Sequence, residues 1–386
     1  MSTPHPAPPR AAREAVLLEL TQIPTAAGAE DRVIAWVDRW IAARSGRLEV
    51  RRDDVGNILV TQRRHGGTAG LILATAHLDH PAFVVTGVAD GGTLGLEFRG
   101  GVNDPYFEGA RLEVVGPGDE RTTATVTALH ADATPFKRVD ARLDGDAPPW
   151  LAAGCIARWH FPRAEITGGI IHTDACDDLA AAAAALCALD EMIDAPGCAA
   201  FGVLLTVAEE VGFLGTIHAA RHGFVPKDAR LLCLENSRSF PHDSPIGAGA
   251  ILRVGDRISV FVPELTNRLA ELFTHAAKED PSFHWQRKLM PGGACEATAF
   301  AAYGYRSTCL CLPLGNYHNM EDIDGVAAGA RPARVGREHV SVEDFHSLVH
   351  MLHLAVRGID ASPAETVAQL MERLYGERAF VLRRRA

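Results

Sequence analysis

One stretch constrains the fold of this chain more than any other: Leu204-Leu205-Thr206-Val207-Ala208-Glu209-Glu210-Val211-Gly212-Phe213-Leu214-Gly215. An apolar, β-branched run drives into two adjacent carboxylates and then a glycine turn. Such a run reads as a strand buried on both faces, the pattern of a parallel sheet covered by helices. Two acids where a buried strand ends are costly unless something cationic meets them. Open α/β sheets place their ligands beyond the carboxyl ends of the strands. The pair is therefore either a solvated turn or part of a site, and the rest of the chain decides between them.

The α/β rhythm recurs on both sides of this stretch. Helices are expected over Ala11 to Leu20 and Glu30 to Arg44, the second carrying Val33, Val37, Trp40 and Ile41 at helical spacing. Strands follow at Leu48 to Arg51, Asn57 to Thr61 and Leu71 to Ala76, the last running into His77-Leu78-Asp79-His80-Pro81. From Gly168 onward, His172-Thr173-Asp174-Ala175-Cys176-Asp177-Asp178 precedes an alanine-rich helix, Leu179 to Ile193. After the opening strand come a helix (Leu214 to His222), a strand (Ala229 to Leu234) ending at Glu235, and a helix (Leu265 to Lys278). A strand from Thr308 to Leu312 leads into Asn316-Tyr317-His318. Two helices close the chain. Ser341 opens the first, with Asp344 three residues on, and Ser362, Pro363 and Glu365 open the second as a capping box.

Between Phe83 and about Glu165 the texture is different. Short β-like pieces such as Leu94 to Phe98, Ala110 to Val115 and Thr123 to Leu129 alternate with glycine- and aspartate-rich turns. This spacing predicts an all-β insertion, barrel- or sandwich-like. The expected fold is a mixed, mostly parallel sheet flanked by helices. Residues 1–81 and 166–386 would form that domain and 82–165 the inserted β domain. At 386 residues the chain exceeds one usual core, which agrees with two domains.

Composition narrows the partners. A net charge of −10 argues against nucleic acid or an anionic membrane as a partner. No apolar run reaches the roughly 18 residues a membrane span needs. Met1 to Arg10 is proline-rich without an apolar core and reads as a tail, not a signal peptide. None of the eight cysteines forms a Cys-x-x-Cys pair, and most sit in apolar runs. They read as buried free thiols of a cytoplasmic protein.

Five strand ends, or positions just past them, carry acids or histidines: His77 and Asp79, Asp177 and Asp178, Glu209 and Glu210, Glu235, and His318. Strand ends on one side of a parallel sheet converge on one cleft. Two histidines with several carboxylates suit divalent zinc, cobalt or manganese. Without metal, four or more carboxylates in one crevice would raise each other's pKa values. Two ions would neutralise them, with one carboxylate shared.

The ordered set resembles the dinuclear zinc exopeptidases, and within them the tetrahedral aminopeptidases (glutamyl and deblocking aminopeptidases). His77-Leu78-Asp79 is similar to the family's His-Met-Asp element, Asp177-Asp178 to its Asp-Asp, and Glu209-Glu210-Val211-Gly212 to its Glu-Glu-Val-Gly. Gly292-Gly293 resembles its Gly-Gly element, and Tyr317-His318 its closing Tyr-x-His. The long insertion between Asp79 and Asp177 also resembles that group, whose carboxypeptidase- and deacylase-type relatives carry their extra domain later in the chain. The resemblance implies that Asp177 bridges two ions. His77 and Glu235 would complete one site, Glu210 and His318 the other. Asp79 would orient His77, and Glu209 would act as general base toward a bridging water. It also implies a peptide substrate and a homo-oligomer.

Four positions depart from the family pattern. Glu235 stands where aspartate is usual, His80 where glutamate is, and Leu179 where arginine is. Gly292-Gly293-Ala294-Cys295-Glu296 replaces Gly-Gly-Thr-Asp, which makes Glu296 the candidate for holding a substrate's amino terminus. Glutamate at position 235 is commoner in deacylase- and carboxypeptidase-like relatives. It keeps an N-acyl amino acid or dipeptide amidohydrolase, or a carboxypeptidase-like enzyme, open beside the aminopeptidase. A silent peptide-binding scaffold is the third alternative, against which the intact Glu209 argues. His346, His350 and His353 share one helical face opposite Phe345, Leu348 and Leu352 and read as solvated. Cys176 reads as a packed thiol, and Arg383-Arg384-Arg385 as a tail.

Overall fold

A computed structural model describes residues 10–89, 91–361 and 367–382. Met1 to Pro9, the capping box at Ser362, Pro363 and Glu365, and the Arg383 to Arg385 tail lie outside the described residues. In chain order the first part comprises α1 (Arg10–Leu20), α2 (Asp31–Ala42), β1 (Leu48–Arg52), β2 (Ile58–Gln62) and β3 (Ile72–His77). Six strands follow: β4 (Ala82–Ala89), β5 (Thr93–Arg99), β6 (Arg111–Val115), β7 (Arg121–His130), β8 (Lys137–Leu143) and β9 (Ile156–Trp159). Then come β10 (Glu165–Thr167), β11 (Ile170–Thr173), α3 (Leu179–Met192), β12 (Phe201–Thr206), α4 (Leu214–Arg221) and β13 (Arg230–Arg238). The last part holds β14 (Ala250–Gly255), α5 (Pro263–Glu279), β15 (Trp285–Leu289), α6 (Glu296–Ala302), β16 (Arg306–Leu314), α7 (Ile323–Ala327), β17 (Glu338–Ser341), α8 (Val342–Gly358) and α9 (Val367–Arg378).

Eight strands form one mixed sheet in the order β1-β2-β12-β3-β13-β16-β14-β15. The four central strands, β12, β3, β13 and β16, run parallel. Side chains alternate between faces along a strand. Val203 and Leu205 therefore pack under α3, while Leu204 joins Ala219 and Phe300 on the other side. Both faces are covered, which is why the strand is apolar without alternation in sequence. α3 lies deepest. All of its residues except Asp190 and Glu191 are buried, and alanine dominates because small side chains let the helix lie close between the sheet and α8.

The inserted strands close into a barrel in the order β4-β5-β8-β7-β6-β9. Its interior is an aromatic cluster: Phe83 packs edge-on against Phe98 and Trp159, each at 4.8 Å between ring centres. Met320 belongs to the same cluster, with Tyr317 and Ile323 packed against it, so the barrel core touches the loop that carries His318. β10, β11 and β17 make a small separate sheet.

Three details differ from the sequence reading. β13 continues past Glu235 to Arg238, because it stays paired with β16 as far as Leu314. Asp344 does not complete a capping box; Ser341 caps α8 alone, and the Asp344 carboxylate accepts the N–H groups of Gly247 and Gly249, each at 2.7 Å. The histidine face of α8 is fully solvated only at His350. His346 is buried beside Glu14 (3.1 Å), and His353 meets the Glu191 carboxylate of α3 (2.9 Å). Helical periodicity shows which residues share a face, not that α1 and α3 cover a second face of the same helix.

Candidate metal centre

The parallel register brings the chemistry-bearing residues together. His77 ends β3 directly opposite Thr206, the last residue of β12, and Glu209 and Glu210 follow in the next turn. Glu235 lies within β13, opposite Cys311 of β16. Asp177 and Asp178 join β11 to α3 through a cis peptide bond, and His318 follows β16. The loops after β12 and β16 are both backbone-strained, since Ala208 just before Glu209 has φ 51° and His318 itself φ 53°.

His77 Nε2 lies 3.5 Å from Asp177 Oδ1, 3.9 Å from Glu209 Oε2 and 4.0 Å from Glu235 Oε1. His318 Nε2 lies 3.5 Å from Asp177 Oδ2 and 3.4 Å from Glu210 Oε1. The two Asp177 oxygens thus face different histidines. The spacings are long for hydrogen bonds. The three spacings of 3.4–3.5 Å fit groups that share one ion, since tetrahedral ligands at about 2.0–2.1 Å stand roughly 3.3 Å apart. Asp177 Oδ1 and Glu210 Oε1 are buried without a hydrogen-bond partner, the condition a cation would relieve. Both histidines are prepared as Nε2 ligands. The His318 Nδ1–H donates to the Gly101 carbonyl (2.6 Å), and the His77 Nδ1–H to the Asp79 carbonyl (3.1 Å). The donor set of imidazoles and carboxylates suits zinc-like divalent ions.

The electrostatics agree. Burial pushes the Glu210 carboxyl up to about 7 against the pull of His318, with Asp177 adding to the rise. Burial likewise drives Glu209 and Glu235 well above the usual carboxylate range, opposed by His77 and reinforced by neighbouring carboxylates. Burial disfavours charge on His318, yet Glu210 and Asp177 lift it to about 9. Burial would raise Asp177, but His318 and His77 hold it far below the usual range.

Asp79 does more than its sequence role. Its carboxylate is 3.4 Å from His77 Nδ1, but it chiefly accepts the backbone N–H groups of Glu209 (2.9 Å) and Glu210 (3.0 Å). It therefore ties the two strand ends together. Glu296 is not brought into the cleft. It is wholly buried at the start of α6, where Thr75, Thr206 and Thr216 donate their hydroxyls to its carboxylate. Its distance along the chain from Gly292 did not show that α6 turns it under the sheet. His80 lies between the Asp177 carbonyl and the Asn319 amide oxygen (3.0 Å).

Two supports went unread in the sequence. Glu338 of β17 accepts the N–H groups of Cys176 (2.7 Å), Asp177 (3.0 Å) and His318 (2.8 Å), joining the loops that carry Asp177 and His318. Glu30 accepts the N–H of the strained Ala208 (2.9 Å) and of Gly28 (2.9 Å). Burial and the nearby Asp79 raise its carboxyl to about 7. Neither acid stands at the carboxyl end of a strand or in a motif, so nothing in sequence marked it. Asn236, beside Glu235, holds the Cys176 carbonyl and Asp178 Oδ1, each at 3.0 Å.

The cluster of histidines and carboxylates opens into a cavity of about 200 Å³ bounded by Phe213, Ala294 and Gly101. A second cavity of about 470 Å³ adjoins it at Gly101, Tyr317 and His318.

A family model described as the M42 glutamyl aminopeptidases matches residues 56–330, which span all of these groups except Glu30 and Glu338. The chain belongs to the M42 family. It is accordingly a peptidase, which sets aside the binding-scaffold alternative. Among curated proteins no sequence match is found. Solved structures match in fold. An aminopeptidase from the archaeon Desulfurococcus kamchatkensis is 18% identical with a TM-score of 0.70, covering 92% of this chain and 96% of its own. A TET aminopeptidase from a marine sediment thaumarchaeote is 18% identical with a TM-score of 0.71, over 91% and 98%. The Pyrococcus horikoshii TET1 peptidase, which can assemble into a tetrahedron or a large octahedral shell, is 19% identical with a TM-score of 0.66, over 90% and 99%.

Proposed function

We propose that this M42 member is an aminopeptidase working with two divalent ions, zinc in the first instance, with cobalt or manganese able to replace it. The observation that carries the reading is Asp177, whose two carboxylate oxygens each stand 3.5 Å from a different histidine. Asp177 would bridge the ions, His77 and Glu235 would complete one site, and Glu210 and His318 the other. Ions held there would acidify a water and polarise the scissile carbonyl. Glu209, buried against His77 and left out of both ligand sets, takes the proton from that water and passes it to the leaving amine. Asp79 positions the Glu209 and Glu210 backbone as well as the His77 ring.

The test is a panel of aminoacyl, N-acyl and carboxy-terminal substrates with and without chelator. Release of free amino-terminal residues that chelator and Glu209→Gln both abolish supports the reading. Turnover of N-acylated substrates alone would move the assignment to an amidohydrolase on the same site, the alternative that Glu235 favours. We also propose a homo-oligomer, on the assembly of the Pyrococcus horikoshii relative, which light scattering checks. A cytoplasmic location is supported by eight buried, unbridged cysteines. Among the described residues no helix is long and apolar enough to cross a membrane.

A further inference from the structure

The cavity of about 470 Å³ beside His318 is walled by Phe240, Met290, Met320 and Ile323, with Arg238 the cation on its rim. The leaving amine must lie at Glu209 to receive its proton, so the acyl half of the substrate extends away from Glu209. Glu209 lines the ligand cavity but not this one, and the route between them passes His318. Resting on the aminopeptidase reading, we propose that this cavity receives the side chain of the amino-terminal residue and selects large apolar side chains, with Arg238 withheld from substrate by Asp324.

Arg238 is the group that would otherwise favour an acidic side chain. Its guanidinium is engaged on two sides. Nη2 donates to Asp324 Oδ2 at 2.6 Å, and the group stacks over the Phe240 ring at 4.6 Å. Lys288, the other cation near Phe240 (4.9 Å), is buried and bonded to Ser244 (2.8 Å), the Arg238 carbonyl (3.1 Å) and Asp243 (3.2 Å). A glutamyl side chain entering this cavity would lose water without gaining a cation, which is costly. A leucyl, methionyl or phenylalanyl side chain would bury apolar surface against four apolar walls.

The metal-loaded protein is assayed with aminoacyl arylamides of alanine, leucine, phenylalanine, glutamate and lysine. Leucine and phenylalanine should exceed alanine in kcat/KM by roughly tenfold or more, as methylenes in an apolar pocket do. They should exceed glutamate by about a hundredfold or more, the expected result of burying an unmatched carboxylate. Asp324→Asn frees Arg238 and should raise the glutamate-to-leucine ratio by roughly tenfold, the scale of one charge-assisted hydrogen bond. Calorimetric binding of leucine hydroxamate against glutamate hydroxamate reads the pocket without turnover. If the protein releases no amino-terminal residue from any arylamide, the aminopeptidase reading fails, while the hydroxamate affinities still rank the pocket. A wild-type preference for glutamate in either measurement overturns the pocket assignment. A ratio that Asp324→Asn leaves unmoved overturns the role given to Arg238.

Discussion

Glu209 and Glu210 are neighbours in sequence with different surroundings. Glu210 Oε1 is an orphan 3.4 Å from His318, whereas Glu209 faces His77 from outside the proposed ligand sets. Glu209→Gln should keep both ions by elemental analysis yet lower kcat about 10²- to 10⁴-fold, the usual share of a general base. Glu210→Ala should lose an ion at one site in the same analysis. Glu338 acts at one remove. Its single carboxylate accepts three backbone N–H groups on the loops that present Asp177 and His318. Glu338→Ala should weaken metal retention in chelator competition by roughly 10- to 100-fold, as loss of an outer orienting partner does. Substrate KM at saturating metal should change little. This acid left no trace in the sequence, because β17 pairs with β11, more than 160 residues upstream, and only that pairing sets it under the cleft.

At the scale of elements, α3 and the turn into α4 leave little room for larger side chains. α3 is alanine-rich because the sheet, α1 and α8 all approach it closely. Ala184→Leu inserts a branched side chain where nothing is solvent-exposed, and should destabilise by about 1–3 kcal/mol in chemical denaturation. Gly215 opens the second turn of the opening stretch. A Cβ there would stand 2.3 Å from the Val207 carbonyl and 2.6 Å from Asn57 Oδ1, which itself receives the Val207 N–H. Gly215→Ala should therefore displace the Glu209–Glu210 turn, seen as loss of activity together with a lower melting temperature. These elements were legible in sequence from apolar run length and composition. The histidine face of α8 was not, since periodicity carries no information about which elements come to cover it.

At the scale of the whole molecule, four parallel strand ends, the α3 entry loop and the barrel's Gly101 loop meet at one acidic centre. Buried carboxylates without cations repel, and ions that bind only the folded chain stabilise it. Exhaustive chelation should lower the melting temperature, and re-added divalent ion should restore it in proportion to the logarithm of its concentration, as read by calorimetry. The barrel shares in the site because Gly101 accepts the His318 Nδ1–H and Met320 packs into the barrel core. Barrel and sheet should consequently unfold together in the metal-loaded protein, with one calorimetric transition.

The sequence by itself determined the strand ends, the inserted β segment and the ordered set His77, Asp177, Glu209, Glu210, Glu235 and His318. These follow from local run length, turn chemistry and motif order, which are properties of neighbouring residues. Tertiary structure alone decided what lies behind and beside them. It buried Glu296 under three threonine hydroxyls, recruited Glu30 as an acceptor for the strained Ala208 backbone and Glu338 for the backbone of Asp177 and His318, and set Asp324 against Arg238 at the rim of the apolar cavity. The physical reason is that a carboxylate's role depends on which donors reach it through space. Those donors come from elements that only sheet order and register bring together.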